Sequence, residues 1–109
     1  MAYDTKLEQR IDEFVDSWGL EIPKRKMFGG LGYFINRNMA FGVKMDQLIA
    51  KADKATTEKL LDEPGVGYFE FGGKYMKSWL QVEGEVLDDE HLERYLEISR
   101  DYVLTLPPK

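Results

Sequence analysis

Apolar residues near the start of the chain recur with the spacing of an α-helix. The residues that would share its buried face stand three or four apart: Leu7, Ile11, Phe14, Val15 and Trp18. Thr5 and Glu8 have the spacing of a capping box, in which Thr5 would be the N-cap residue. Gly19 follows where a left-handed residue commonly ends a helix. The pattern therefore predicts a first helix that begins at Thr5 and ends before Gly19.

From Met27 the apolar residues follow a period of two, which is typical of β-strands. One face of the first strand is predicted to carry Leu31, Tyr33 and Ile35. A turn at residues 36–38 leads into a second strand over residues 39–43, and a turn at residues 45–46 leads into a third over residues 47–52. These three strands are predicted to form an antiparallel meander.

Arg37 lies in the first of these turns, where hairpins often need a residue with positive φ. A positive φ is unfavourable for a residue as bulky as arginine. Two alternatives therefore stay open. The turn contains three residues, or an asparagine adopts the strained conformation.

The second half of the chain predicts a helix, a hairpin and a further helix. The short helix begins at Thr56 or Thr57 and ends before Pro64, and the hairpin joins residues 66–71 to residues 76–82. Acidic residues at 88–90 suit the positive end of the last helix. The buried stripe of that helix is predicted to contain Leu92, Tyr95, Leu96, Ser99, Val103 and Leu106.

This order, α-β-β-β-α-β-β-α, predicts an α+β fold: a two-layer α/β sandwich with helices on one face of an antiparallel sheet. We expect one domain over residues 1–109, with Leu96 and Val103 in its core. The other face of the sheet is expected to expose the rings of Tyr33, Phe41, Tyr68 and Phe69. A homodimer would remove such an apolar face from water, and we expect one.

Composition narrows the class of protein. Hydrophobic residues make up 43% of the chain and charged residues 32%, which fits a soluble globular domain. No apolar run approaches the roughly 20 residues that a membrane-spanning helix needs. The chain has no cysteine, which excludes disulfides and thiolate metal sites. A cytoplasmic location is the expectation.

Charge is unevenly distributed along the chain, whose net charge is -5. Residues 22–54 contain seven basic and two acidic residues, a net charge of +5, whereas residues 56–109 carry -6. The basic segment would contact an acidic partner or a phosphate backbone, or would be only a solvated surface. Both interpretations stay open.

Two motifs that suggest phosphate binding or histidine chemistry lack the residues that such sites need. Residues 29–32 are rich in glycine, but they lack the lysine and serine or threonine of a phosphate-binding loop and lead into a strand. Their glycines are expected to mark a bend or to make room for Phe14 or Trp18. His91 has only acidic neighbours on its own helical turn and is expected to be solvated. We predict no catalytic residue, no metal and no cofactor.

A possible interaction surface lies where basic, methionine and aromatic residues occur together. Lys24, Arg25 and Lys26 precede a strand, so Arg25 should share a face with Met27 while Lys26 points the other way. Methionine and tryptophan side chains favour an adaptable protein-binding surface. The same alternation places Lys77 and Trp79 on one face of their strand, and Met76 on the other.

Four segments of the chain resemble the TfoX N-terminal domain family (TfoX/Sxy), and they occur in the same order. They are residues 1–4 (Met-Ala-Tyr-Asp), residues 25–43 (beginning Arg-Lys-Met-Phe-Gly-Gly), residues 76–79 (Met-Lys-Ser-Trp) and residues 106–109 (Leu-Pro-Pro-Lys). The resemblance implies a fold similar to that of type III secretion chaperones, which are often dimeric. It also implies a regulatory role in natural competence, alongside the cyclic-AMP receptor protein. Full-length members of the family have a second, C-terminal domain after this one. The chain stops at residues 106–109, the usual end of the first domain in the family, so we expect it to be a stand-alone member.

The resemblance transfers signature positions and no catalytic residues. The candidate interaction residues are Arg25, Lys26, Met27, Asn38, Met39, Met76, Lys77 and Trp79. We therefore expect a non-enzymatic regulatory or protein-interaction domain with a transcription-related protein partner. Two alternatives stay open. One is a small-ligand-binding or enzymatic pocket between sheet and helices, and the other is weak nucleic-acid binding through residues 24–54.

Overall fold

The computed structural model describes residues 3–27 and 29–109, so Met1, Ala2 and Phe28 of the sequence motifs lie outside the described residues. The elements are α1 (Thr5–Asp16), β1 (Lys24–Met27), β2 (Gly30–Ile35), β3 (Asn38–Lys44), β4 (Gln47–Lys51), α2 (Lys54–Leu60), β5 (Val66–Phe71), β6 (Lys74–Val82), a 3-10 turn (Gly84–Val86) and α3 (Asp89–Val103). The strands form an antiparallel sheet in the order β1-β2-β3-β4-β6-β5. The predicted α+β class and the order of elements are confirmed. The structure adds β1, an edge strand made by the basic segment that was expected only to precede the sheet.

Each of the three α-helices described has an aspartate as its N-cap residue. Asp4 Oδ1 accepts hydrogen bonds from the backbone N–H groups of Lys6 (2.8 Å) and Leu7 (3.3 Å), so the prediction that Thr5 caps α1 is wrong by one residue. Asp53 caps α2 in the same way, before the predicted start at Thr56 or Thr57. A carboxylate accepts the free N–H groups and also suits the positive helix end, which gives aspartate the advantage over threonine.

The β2–β3 hairpin turns through two residues. Ile35 pairs with Asn38, and both Asn36 (φ 52°) and Arg37 (φ 68°) adopt positive φ. The three-residue alternative is therefore wrong, because a two-residue hairpin matches the twist of its strands only with positive φ at both positions. The end of the chain supports the strained turn. Asn38 Nδ2 donates to the Pro107 carbonyl (3.0 Å), and the Lys109 N–H donates to the Asn36 carbonyl (3.0 Å).

One hydrophobic core joins the three helices to a single face of the sheet. α3 packs on β3 and β4, α2 packs on β6, and α1 lies beside α3. The side chains that α1 and α3 bury include Leu7, Ile11, Val15, Leu92, Leu96 and Val103. Leu96 and Val103 have no exposed surface, as predicted.

Tyr33 and Phe41 belong to this core, and the prediction that they are exposed on the other face is wrong. Their exposed fractions are 1% and 0%, and their ring centroids lie 5.2 Å apart. They occupy the same alternating face as Leu31 and Val43, which the helices cover. The ring edge of Trp18 meets Phe41 at 6.1 Å. The opposite face therefore carries a different set of residues.

A cluster of polar side chains links α1 to β1 and β2. Lys24 Nζ contacts Glu8 Oε2 (2.7 Å) and Asp12 Oδ2 (2.9 Å), and the Tyr33 hydroxyl donates to Asp12 Oδ1 (2.7 Å). Burial, together with the hydrogen bond to Asp12, raises the pKa of Tyr33, so its hydroxyl stays protonated. These contacts use two acidic residues of α1 and one basic residue of β1 inside the domain.

A second polar contact holds the segment after α2 against α3. Glu63 Oε1 accepts hydrogen bonds from Arg94 Nη2 (2.5 Å) and from the Tyr95 hydroxyl. The Arg94 hydrogen bond, followed by that of Tyr95, lowers the pKa of Glu63. For the same contact, burial and Glu63 raise the pKa of Tyr95 to about 12.

Replacement of Leu96 by alanine should cost about 2–5 kcal/mol of unfolding free energy, because the side chain is fully buried between α3 and the sheet. Urea denaturation followed by circular dichroism measures this change. The matched control is Leu104→Ala, since Leu104 is exposed and should change stability by less than about 0.5 kcal/mol. Equal stability of the two variants would contradict the assigned face of α3.

Replacement of Glu63 by glutamine should destabilise the protein at neutral pH and have little effect in acid. The folded pKa of Glu63 lies below its unfolded value, so its contribution is complete above about pH 5 and disappears as pH falls through the folded pKa. Urea denaturation of wild type and variant at neutral and acidic pH gives the difference. Glu58→Gln, on an exposed position of α2, is the control. A Glu63→Gln effect that is the same at both pH values would refute the linkage.

Candidate functional site

The face of the sheet away from the helices begins with three glycines on β2 and β3. Gly32 pairs with Gly42, and a Cβ at Gly30 would stand 2.5 Å from the Val43 carbonyl oxygen. A Cβ at Gly42 would collide with the Leu31 carbonyl oxygen. Only glycine permits this approach of one strand to the backbone of the next.

Methionine side chains fill the space over these glycines. The position of a Cβ on Gly32 lies 3.0 Å from Met27 Sδ and 3.3 Å from Met39 Cε. The expectation that Phe14 or Trp18 packs there is wrong, because both residues pack against the core on the helical side. The side chains that cover Gly32 come from strands of the sheet, not from a helix.

An apolar groove of about 240 Å³ opens on this face, and we call it the outer groove. Its lining comes from all six strands: Met27, Gly30, Leu31, Met39, Val43, Lys44, Ile49, Phe69, Phe71, Met76 and Trp79. Ile49 alternates with Leu48 and Ala50 of the core, and Trp79 precedes Leu80 of the core, so the groove lies opposite the helices. Among the described residues that line it, none is acidic.

Strong curvature of the sheet closes the groove. Lys44 Nζ on β3 lies 5.4 Å from the ring centroid of Phe69 on β5, although β4 and β6 separate these strands. In a flat sheet the two strands would lie about 14 Å apart, three spacings of about 4.8 Å. The sheet therefore curls so that its β5 edge approaches the β3 end.

A break in register on β6 contributes to this shape. Tyr68 pairs with Leu80, whereas the next residue of β5, Phe69, pairs with Met76, so residues 77–79 form a bulge on β6. The bulge interrupts the strict alternation of faces. Met76 and Trp79 consequently both line the groove, and the prediction that they occupy opposite faces is wrong.

Three basic side chains lie over aromatic rings of this face, and we call them the cationic rim: Arg25, Lys44 and Lys51. The Arg25 guanidinium lies 5.0 Å from the centroid of Phe34, and Lys51 Nζ lies 4.7 Å from that of Trp79. In the described part of the chain, none of the three forms a salt bridge. Burial and the positive charge of Lys109 lower the pKa of Lys51. The rim therefore holds positive charge without an internal counter-charge.

The structure brings together five of the eight candidate interaction residues. Met27, Met39, Met76 and Trp79 line the outer groove, and Arg25 lies on the same face opposite Gly32.

The other three candidates lie elsewhere. Lys26 points to the opposite face of β1, as expected from alternation. Asn38 is buried and holds Pro107, and Lys77 Nζ lies 5.1 Å from the ring centroid of Tyr68, outside the groove.

Sequence reasoning missed several groove residues on distant strands. Phe71 and Ile49 come to the groove through the curvature of the sheet and the β6 bulge. Phe69 was expected on the face away from the helices, and it lines the groove there. Lys44 and Lys51 were counted in the basic segment, but nothing in their spacing showed that they stand over rings. The signal that was present is their alternation: Lys44 follows Val43, and Lys51 follows Ala50, both of which face the core.

The groove offers apolar contact and positive charge, and little acid–base chemistry. Lys44 is the one ionisable residue among its described lining. A second, more polar cavity of about 260 Å³ lies beside Glu63, Asp88, His91 and Tyr95. Two of its carboxylates already have structural roles: Glu63 accepts from Arg94 and Tyr95, and Asp88 caps α3 and contacts His91 Nδ1 at 2.7 Å. The described residues contain no group of histidine and acidic side chains placed to hold a metal ion.

Comparison with known proteins adds a family. The family model of the TfoX N-terminal domain matches residues 13–100, which include all six strands and most of α3. No curated protein and no solved structure matches the chain. No helix in the described part of the chain is long and apolar enough to cross a membrane.

Replacement of Gly42 by alanine should destabilise the protein by about 1–3 kcal/mol, because the new methyl group would meet the Leu31 carbonyl of the neighbouring strand. Gly67→Ala is a matched control, since a Cβ at this strand position meets no atom within 4 Å. Its effect should be small or slightly stabilising. Urea denaturation of both variants measures the contrast, and a harmless Gly42→Ala would refute the close approach of β2 and β3.

Proposed function

The chain belongs to the TfoX N-terminal domain family, and from that premise we propose that it is a non-enzymatic regulatory domain that acts by binding another protein. The resemblance noted in the sequence suggests a partner involved in transcription, in the setting of natural competence. A cytoplasmic location is part of the same proposal.

The outer groove is the observation that supports protein binding. It combines three methionines with two phenylalanines and a tryptophan on a concave surface. Methionine adapts to different partners, and buried aromatic anchors dominate the binding energy of many interfaces. Phe71, one of the residues that line it, is still 48% exposed. A surface of this kind is typical of an interaction site.

The size of the groove favours a protein over a small ligand. Pockets for drug-sized ligands usually enclose about 300–1,000 Å³. The outer groove encloses about 240 Å³ and lies on the face away from the helices, not between sheet and helices as the small-ligand alternative expected. It has room for one large side chain of a partner. Enzymatic activity has less support, because Lys44 is the one ionisable residue among the described lining of the groove and no second acid–base group lines it there.

The nucleic-acid alternative also has less support from the arrangement of charges. Lys24 contacts Glu8 and Asp12, so its charge is compensated within the domain. Lys26 and Arg25 point to opposite faces of β1. The positive residues of the 24–54 segment therefore do not form one continuous surface for a phosphate backbone. The homodimer expected from sequence stays a prediction.

Affinity capture from the native cell with mass spectrometry tests the proposal. The Arg25→Glu variant should recover the partner about tenfold less than wild type, because it reverses a charge on the groove face. Lys26→Glu makes the same change one residue later on the opposite face and should recover as much as wild type.

Circular dichroism and thermal denaturation should first establish that both variants fold. Equal loss in the two variants would show that net charge, and not the groove, governs recovery. A wild-type protein that recovers no partner would refute protein binding. Robust catalysis that a single substitution abolishes would refute the non-enzymatic assignment.

A further inference from the structure

The cationic rim is the feature of the outer face that most directly indicates what binds there. Arg25, Lys44 and Lys51 surround an apolar groove whose described lining contains no acidic residue. Among the described residues, Lys24, Arg10, Arg94 and Arg100 form salt bridges, and the other lysines and arginines, the rim included, form none. The rim is distinguished by its position, since its three cations lie over aromatic rings around one apolar groove.

Lys51 is the rim cation whose surroundings best suit an added carboxylate. Its side chain is half-buried and lies over Trp79, and both burial and the charge of Lys109 act against its positive charge. A carboxylate brought next to Lys51 would offset both effects. The rim cations therefore favour a ligand with negative charges arranged around an apolar centre.

The volume of the groove limits the size of the apolar group that can enter it. A dry cavity of about 150 Å³ binds one benzene molecule. The outer groove, with about 240 Å³, has room for a somewhat larger group, such as an indole or phenol ring or a long aliphatic side chain. One side chain of this size, inserted between the methionines and Trp79, would fill it.

A second copy of the chain is a poorer occupant. In a C2 dimer the same patch of each subunit meets its counterpart, so the rim cations of both copies would lie at one interface. Like charges facing each other oppose such an association. A single-stranded nucleic acid is also a poorer occupant, since bases bind by stacking on exposed rings. Here Arg25 and Lys51 already lie over the rings of Phe34 and Trp79.

Resting on the proposed function, we infer that the outer groove binds an acidic peptide segment of the partner protein. One large apolar side chain of the segment enters the groove, between Met39 and Trp79. Carboxylates on either side of this anchor contact Arg25 and Lys51. The basic charge of the 22–54 segment thus serves recognition of an acidic protein.

Isothermal titration calorimetry of the full chain with designed peptides tests this inference. The probe is a short synthetic peptide with one tryptophan flanked on each side by glutamates. Three relatives of equal length replace the tryptophan by alanine, the glutamates by glutamine, or the glutamates by lysine. We expect the probe to bind with one-to-one stoichiometry, and each relative to bind at least about tenfold more weakly. Affinity should also fall as salt concentration rises.

Protein variants locate the binding site. The double variant Arg25→Gln/Lys51→Gln should weaken binding of the probe by about tenfold, because it removes two charges of the rim. The double variant Lys26→Gln/Lys77→Gln removes equal charge outside the groove and should bind like wild type. Circular dichroism shows whether both variants fold.

Several outcomes would overturn the inference. They are equal binding of the glutamate and lysine peptides, equal weakening by the two double variants, and saturable binding of decanoate or oligothymidylate by a protein that does not bind the probe. Light scattering that shows a dimer dissociated by Arg25→Gln would also overturn it, since the groove would then bind a second copy. If affinity capture depends on Arg25 but the probe fails to bind, this inference fails while the proposed function stands. If wild type captures no partner, the proposed function fails first.

Discussion

Strands β2 and β3 pass so close together at Gly30 and Gly42 that neither position has room for a side-chain carbon. Because these positions must be glycine, the two faces of the sheet carry different side chains. On one face, Tyr33 and Phe41 pack ring to ring beneath the helices. On the other, the glycines leave a depression that methionines only partly fill. The groove exists because β2 and β3 carry large side chains on the helical face and glycines on the opposite face.

The charges follow the same division between faces. On the helical side, Lys24 is neutralised by two carboxylates of α1 and helps to hold that helix in place. On the groove side, Arg25 and Lys51 have aromatic rings beneath them and no carboxylate among the described residues. Lys24 thus stabilises the domain on the helical side, whereas its neighbour Arg25 lies on the groove side, because successive residues of a strand point to opposite faces.

The sequence was informative wherever a local period or cap decides the structure. The apolar spacing of α1 and α3 identified their buried faces, and Gly19 does adopt the positive φ expected after a helix (69°). The caps were displaced because Thr5 and Asp4 both suit an N-cap, and propensity alone did not separate adjacent candidates. A positive φ at Arg37 was not expected, because it is unfavourable for a bulky residue and nothing local shows that residues about seventy positions later bind the neighbouring Asn36 and Asn38.

The groove was much harder to predict from the sequence. Four of its residues were chosen as candidates, but their convergence depends on the curl of six strands and on the bulge at residues 77–79. Neither leaves a local pattern, since a bulge merely shifts which residues share a face. Tyr33 and Phe41 were assigned to the wrong face for a related reason, whereas Phe69 does line the groove: the alternation of a strand does not show which of its two faces the helices cover.

The contact between the chain end and the β2–β3 turn has a consequence for folding. A shift of one residue in this hairpin would carry Leu31 and Tyr33 out of the core and onto the groove face. The hydrogen bonds from Asn38 to Pro107 and from Lys109 to Asn36 form only when the turn is correctly placed. A shifted hairpin would lose these hydrogen bonds as well as the burial of its apolar side chains. Residues 107–109 thus favour the correct register of β2 and β3 although they lie about seventy positions away.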